Sequence, residues 1–134
     1  MYLYLSSFKK GYDLKELLSE DDNEYWSTDS VLPHGITITF NSKEYVYSVE
    51  LKFSYEKDES YTPHKIEVSY NNSSYIEILN QPEGYVEFKI DAITDKIQIA
   101  ILLNHTDGKD SHIHGIKVKK SEDKFFRNYS NKIF

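Results

Sequence analysis

The stretch from Ile97 to Val118 concentrates the residues that could do chemistry. Ile97, Ile99, Ile101 and Leu103 alternate as a half-buried strand does, and Ile116 and Val118 close a second strand. Between them runs Asn104-His105-Thr106-Asp107-Gly108-Lys109-Asp110-Ser111-His112, dense in groups that donate, accept or titrate. Three of the five histidines, His105, His112 and His114, lie in or beside this loop. A polar loop presented by a rigid scaffold is the usual frame of a binding site.

Three kinds of chemistry can be set against these residues. His105, Asp107, Asp110, His112 and His114 are of metal-ligating type. Their spacing matches no tight motif, and a strand-to-strand turn at Asp107-Gly108 with side-chain hydrogen bonds accounts for the same residues. No metal and no cofactor are therefore expected. Ser111 sits beside Asp110 and His112, but neighbours on a strand point to opposite faces, so no nucleophilic triad forms from them. Neither a nucleophile elbow nor a phosphate-cradling glycine loop is present. Catalysis is not expected, and binding remains. Such a loop could hold a sugar or an extended peptide, and composition does not choose between them. Unbroken alternation would put His112 and His114 on the core side with Ile116 and Val118. A bulge at Gly115 would switch the face.

The elements that must position this loop are strands. Ile36, Ile38 and Phe40 alternate with threonines. Tyr45, Tyr47, Val49, Leu51, Phe53 and Tyr55 repeat the period, as do Ile66, Val68 and Tyr70, then Ile76 and Ile78, then Val86, Phe88 and Ile90. Asn71-Asn72-Ser73-Ser74 and Gln81-Pro82-Glu83-Gly84 supply turns. About seven or eight short strands with one apolar face each predict an all-β antiparallel sandwich, jelly roll or immunoglobulin-like. Ahead of them, Asp13-Leu14-Lys15-Glu16-Leu17-Leu18 predicts a short N-terminal helix with a capping box. Trp26, inside a polar stretch, reads as a plug that pins that stretch to the sheet. Glu56 to His64 reads as a second loop at one end of the sandwich. One domain over 1–120 is expected, followed by a C-terminal tail over 121–134 whose Phe125, Phe126, Tyr129, Ile133 and Phe134 must pack back or meet a partner.

Composition excludes several classes. The 134 residues are 39% hydrophobic, with no apolar run near the length a membrane-spanning helix needs. A net charge of −6 argues against a general nucleic-acid binder. Lys117, Lys119, Lys120 and Lys124 form the one candidate basic patch, and they read more simply as lysines guarding a strand edge. There is no cysteine, hence no disulfide. The opening residues are too short and too polar for a signal peptide, so a location in the nucleus and cytoplasm is expected.

The residues also carry a resemblance. The run from Gln98 through Asn104-His105, Gly108, Asp110 and His112 to Ile116-Lys117 resembles the signature of the Doc-homology domain family, which defines subunit ten of the anaphase-promoting complex. Asp58-Glu59-Ser60-Tyr61-Thr62-Pro63 is a second match. Leu5-Ser6-Ser7 with Gly11 is a third, and Asp22-Asn23, Tyr25-Trp26, Asp29 and Pro33-His34 make a fourth. The resemblance implies a jelly roll of the galactose-binding-domain-like type. It implies a non-catalytic subunit of a ubiquitin ligase in mitotic cell-cycle control. Such a subunit serves, with a propeller-type activator, as co-receptor for destruction-box degrons and raises processivity. Ser60, Tyr61, Thr62, Asn104, His105, Gly108, Asp110, His112 and His114 are the degron-binding positions it implies. It departs from the family at His114, where arginine is usual, at Lys109, where arginine is frequent, and at His64, where serine is usual. The family commonly ends in Ile-Arg, which docks on a tetratricopeptide-repeat scaffold subunit. This sequence ends Ile133-Phe134, keeping the isoleucine and the carboxylate without the cation. A carbohydrate-binding module on the same fold is the alternative.

Overall fold

The computed structural model describes residues 1–121 and the backbone of 124–125. Period two in the apolar residues becomes strand throughout. In chain order these are β1 (Tyr2–Leu5), β2 (Trp26–Ser27), β3 (His34–Ser54), β4 (Pro63–Tyr70), β5 (Ser73–Ile78), β6 (Glu83–Asn104), β7 (His112–Ile113), β8 (Gly115–Ser121) and β9 (Lys124–Phe125). Two short helices, α1 (Leu14–Leu17) and α2 (Tyr55–Asp58), and 3-10 turns at Glu59–Tyr61 and His105–Asp107 complete it.

β3 and β6 are the frame. The segments predicted as separate strands over 36–40 and 45–55 are one strand that ends at Ser54, with Tyr55 opening α2 instead, and 86–90 and 97–103 are likewise one. The two pair antiparallel along their length, with register shifts between Thr39 and Glu44 and between Val46 and Ser48. An extra residue kinks and twists a strand without ending it. The pair therefore folds over and contributes to both layers. The strand order is β5-β4-β6-β3-β8-β9, and β1 pairs with the first half of β3, Ile36 to Thr39. The inner faces meet in one core that includes Ile36, Ile38, Val49, Leu51, Phe53, Ile66, Val68, Phe88, Ile97, Ile99 and Ile101. Each such side chain contributes about 1.5–3 kcal/mol by leaving water.

Local signals hold as well. Asp13 caps α1 and Glu16 returns the bond in a capping box. Trp26 is fully buried, and its Nε1 donates to the Ser7 carbonyl at 2.8 Å. Asn71 and Asn72 take φ of 48° and 64°, the left-handed pair of a two-residue hairpin joining β4 to β5. Ile133 and Phe134 lie outside the described residues.

Candidate functional site

Two loops at one end of the sandwich touch. The first, between β3 and β4, is α2 followed by the 3-10 turn. The second joins β6 to β7. The His105 amide donates to the Thr62 carbonyl at 2.9 Å, and its Nδ1 donates to the same oxygen at 2.8 Å. Its Nε2 accepts from the Gln81 amide at 3.1 Å. One nitrogen donates and the other accepts, which selects the Nδ1–H tautomer. Gly108 passes so close to the first loop that a Cβ there would lie 1.9 Å from the Ser60 carbonyl oxygen. Only glycine fits.

Asn104 holds the second loop from beneath. It is 5% exposed. Its Nδ2 donates to the carbonyls of Gly108 and Asp110, each at 3.0 Å, and its Oδ1 accepts from the Ser111 hydroxyl at 2.6 Å. Thr62 is fully buried. The Asp110 carboxylate accepts from the Thr28 hydroxyl at 2.9 Å and from the Ser30 amide at 3.3 Å. Asn104, Thr62 and Asp110, expected at a contact surface, are thus turned inward. Asn104 is drawn in by the loop's own backbone, whose buried carbonyls find their donor there, and Asp110 by the Thr28 hydroxyl and the Ser30 amide; the buried Thr62 hydroxyl has no hydrogen-bond partner among the described residues.

A different set faces outward. A cavity of about 420 Å³ is lined by Asp22, Asn23 and Tyr25 from the β2 approach, by Lys57 to Tyr61, and by His112 and His114. At its floor, Asp58 binds both histidines, Oδ1 with His112 Nδ1 at 3.1 Å and Oδ2 with His114 Nε2 at 2.7 Å. Burial pushes the Asp58 carboxyl up, but the hydrogen bonds from His112 and His114 outweigh it and hold the group below its ordinary value. Tyr61 stacks on His112 with ring centroids 4.3 Å apart and planes at 8°, and Tyr25 packs on the other side at 4.3 Å. Burial, with Tyr12 next, pushes the Tyr25 phenol up. The far face of Tyr61 is open, the residue being 41% exposed. Asp22 at the rim pairs with Lys52.

The face does switch, at the break between β7 and β8 and not at a bulge on Gly115, which already pairs in register with Lys52. Ile113 and then Ile116 and Val118 are buried, so the inward parity changes between β7 and β8. His112 and His114 turn to Asp58, not to the aliphatic core. A Cβ on Gly115 would meet the Tyr85 hydroxyl at 2.6 Å.

Of the positions expected to touch a ligand, Ser60, Tyr61, His112 and His114 line the cavity. Asn104, His105, Thr62, Gly108 and Asp110 build the loops behind it. Asp58, Tyr25 and Asp22 were missed as site residues. The signal for a partner existed, since two histidines two apart, if buried, need an acceptor. Which of the 22 acidic residues supplies it was not readable. Among the described residues no group of three or more His, Asp or Glu side chains is arranged to hold a metal ion.

A family model described as "Anaphase-promoting complex, subunit 10" matches residues 2–129. The chain belongs to this family. Subunit 10 of Homo sapiens and of Mus musculus are each 34% identical to it over 127 residues, which is 85% of this chain and 68% of each relative. Subunit 10 of Drosophila melanogaster is 30% identical over 126 residues, 85% of this chain and 65% of the relative. The chain thus spans about two thirds of the length of the curated relatives it matches. Among solved structures, a family 32 carbohydrate-binding module of C. perfringens NanJ in complex with galactose superposes with a TM-score of 0.68 at 12% identity, over 87% of this chain and 90% of that one. The lectin domain of lectinolysin complexed with Lewis B antigen superposes with a TM-score of 0.71 at 11% identity, over 90% of this chain and 92% of that one. These likenesses establish the fold of this subunit 10 family member as a galactose-binding-like jelly roll.

Proposed function

We propose that the chain is a non-catalytic substrate-recognition subunit of the anaphase-promoting complex ubiquitin ligase. With a propeller-type activator it acts as co-receptor for destruction-box degrons, in the nucleus and the cytoplasm of dividing cells. The family match over residues 2–129 carries this reading. The paired loops support it. Backbone bonds between Thr62 and His105 and the close pass of Gly108 preorganise them, so a bound segment need not order them. Tyr61, stiffened from behind by His112, offers a flat face at low entropic cost. Lys57, Asp22 and Glu59 ring it with charge that can set partner preference. Docking on a tetratricopeptide-repeat scaffold subunit through Ile133 and Phe134 belongs to the same proposal.

The test uses the whole ligase, reconstituted with this chain. Tyr61→Ala is expected to leave assembly intact and shorten the ubiquitin chains added to a destruction-box substrate per encounter. Full processivity in that variant would sink the site assignment. Asn104→Ala, the obvious alternative, tests the loop's folding instead.

The exposed Tyr61 face beside polar loops also suits the carbohydrate alternative. A glycan array separates the two: specific sugar binding, lost with Tyr61→Ala, would favour a module, and its absence counts against one.

A further inference from the structure

The strand β5 ends the sheet. Among the described residues its one neighbour is β4. The Leu79 amide donates to the His64 carbonyl at 2.7 Å, which shows which side of the strand faces β4 there. The direction alternates along an antiparallel strand. Register without interruption from Lys65–Ile78 to Tyr70–Ser73 carries that alternation along. Tyr75 and Glu77 therefore turn their backbone groups to β4. Ser74, Ile76 and Ile78 turn theirs to the open edge.

Open edges are hazards that proteins guard against with short strands, lysine, proline or bulges. The other edges are guarded. β1 has four residues. The β8 side carries Lys117, Lys119 and Lys120. Six-residue β5, Ser-Ser-Tyr-Ile-Glu-Ile, has no lysine, no proline and no bulge. Its outward side chains are aliphatic and exposed, Ile76 at 44% and Ile78 at 52%. Across the sheet, Ile78, Lys65 and Leu103 lie in one row, and Leu103 is 48% exposed. Its single charge, Glu77, points to the opposite face from the two isoleucines.

We propose that the open edge of β5 takes an extended segment of another protein as an added strand, with two aliphatic residues flanking a basic one. The backbone of Ser74, Ile76 and Ile78 supplies the ladder. The aliphatic pair lies beside Ile76 and Ile78 on the outer face. The residue between them points to the other face, beside Glu77, and a cation there matches the strand's one charge. This reading goes beyond the degron site and stands without it.

The full chain, used as bait for random dodecapeptides displayed on phage, tests the inference. Expected winners alternate aliphatic, Lys or Arg, aliphatic, without proline between. A synthetic winner should slow hydrogen exchange of the Ser74, Ile76 and Ile78 amides at least about tenfold and leave Tyr75 and Glu77 as they were. Ile76→Pro removes an edge N–H without removing a β4 bond, and should abolish binding. Ile76→Lys leaves the backbone unchanged and should do the same; it decides the matter if the proline variant unfolds. No enrichment, or winners that bind both variants as well as the parent, would overturn the proposal. So would protection of those three amides without peptide. If it grew with concentration, the occupant would be a second copy; if not, the rest of this chain.

Discussion

Replacing Asn104 by alanine should cost the protein its loop before it costs it any ligand. The side chain makes three hydrogen bonds, two from Nδ2 to the Gly108 and Asp110 carbonyls and one at Oδ1 from the Ser111 hydroxyl. At about 1 kcal/mol each, and with the partners left buried, the loss is about 3 kcal/mol. For 134 residues the unfolding entropy is about 280 cal/mol/K, so the melting midpoint should fall by about 10 °C. Circular dichroism or calorimetric melts read this directly. Asn104→Asp sharpens the test. The acceptor for Ser111 survives, but a carboxylate oxygen now faces two carbonyls, so at neutral pH the loss should be at least as large. Acid should relieve part of it, because the protonated acid regains one donor. A midpoint for Asn104→Ala within about 2 °C of the parent, with degron binding lost, would refute the reasoning. Asn104 would then be a contact residue and not a strut.

Other outcomes follow from the same geometry. Gly108→Ala must part the loops by more than about 1 Å, because a Cβ would stand 1.9 Å from a backbone oxygen; a loss of about 1–3 kcal/mol and faster exchange of the His105 amide should show in melts and exchange. Asp58→Asn removes the anion shared by His112 and His114, and urea unfolding at neutral pH should register a loss of about 2 kcal/mol. Because its histidine partners hold the Asp58 carboxyl below the ordinary aspartate value, its contribution is complete above that ordinary value and fades as pH falls through the folded one. The acid limb of the stability curve should therefore be shallower in Asp58→Asn, and an unchanged limb would deny the pairing. Tyr61→Ala should lower stability by only about 1 kcal/mol, the value of one ring stack on His112, while the processivity readout drops.

Much of the fold was legible because strand facing is local. Ile36 and Ile38, or Ile66 and Val68, declare an inner face by their spacing alone, and the asparagine pair at 71–72 declares its hairpin. The capping box at Asp13 and Glu16 is likewise a matter of four residues. What period could not show is that 36–40 and 45–54 are one strand, since a bulge interrupts alternation as a turn does. The candidate site was legible as a place and not as a set of contacts. The family signature pointed to both loops, and they do touch. It did not separate the residues that build the loops from those that face outward.

The sequence by itself determined where the strands run, which loops carry polar chemistry, and which family the chain resembles, since these rest on spacing and on words a few residues long. Only the tertiary structure decided that Asp58 meets His112 and His114, respectively 54 and 56 positions away, and that Asn104 turns inward while Tyr61 stays in the open. Those outcomes depend on how β3 and β6 fold over one another and on the demand of buried backbone for partners. No local pattern encodes either.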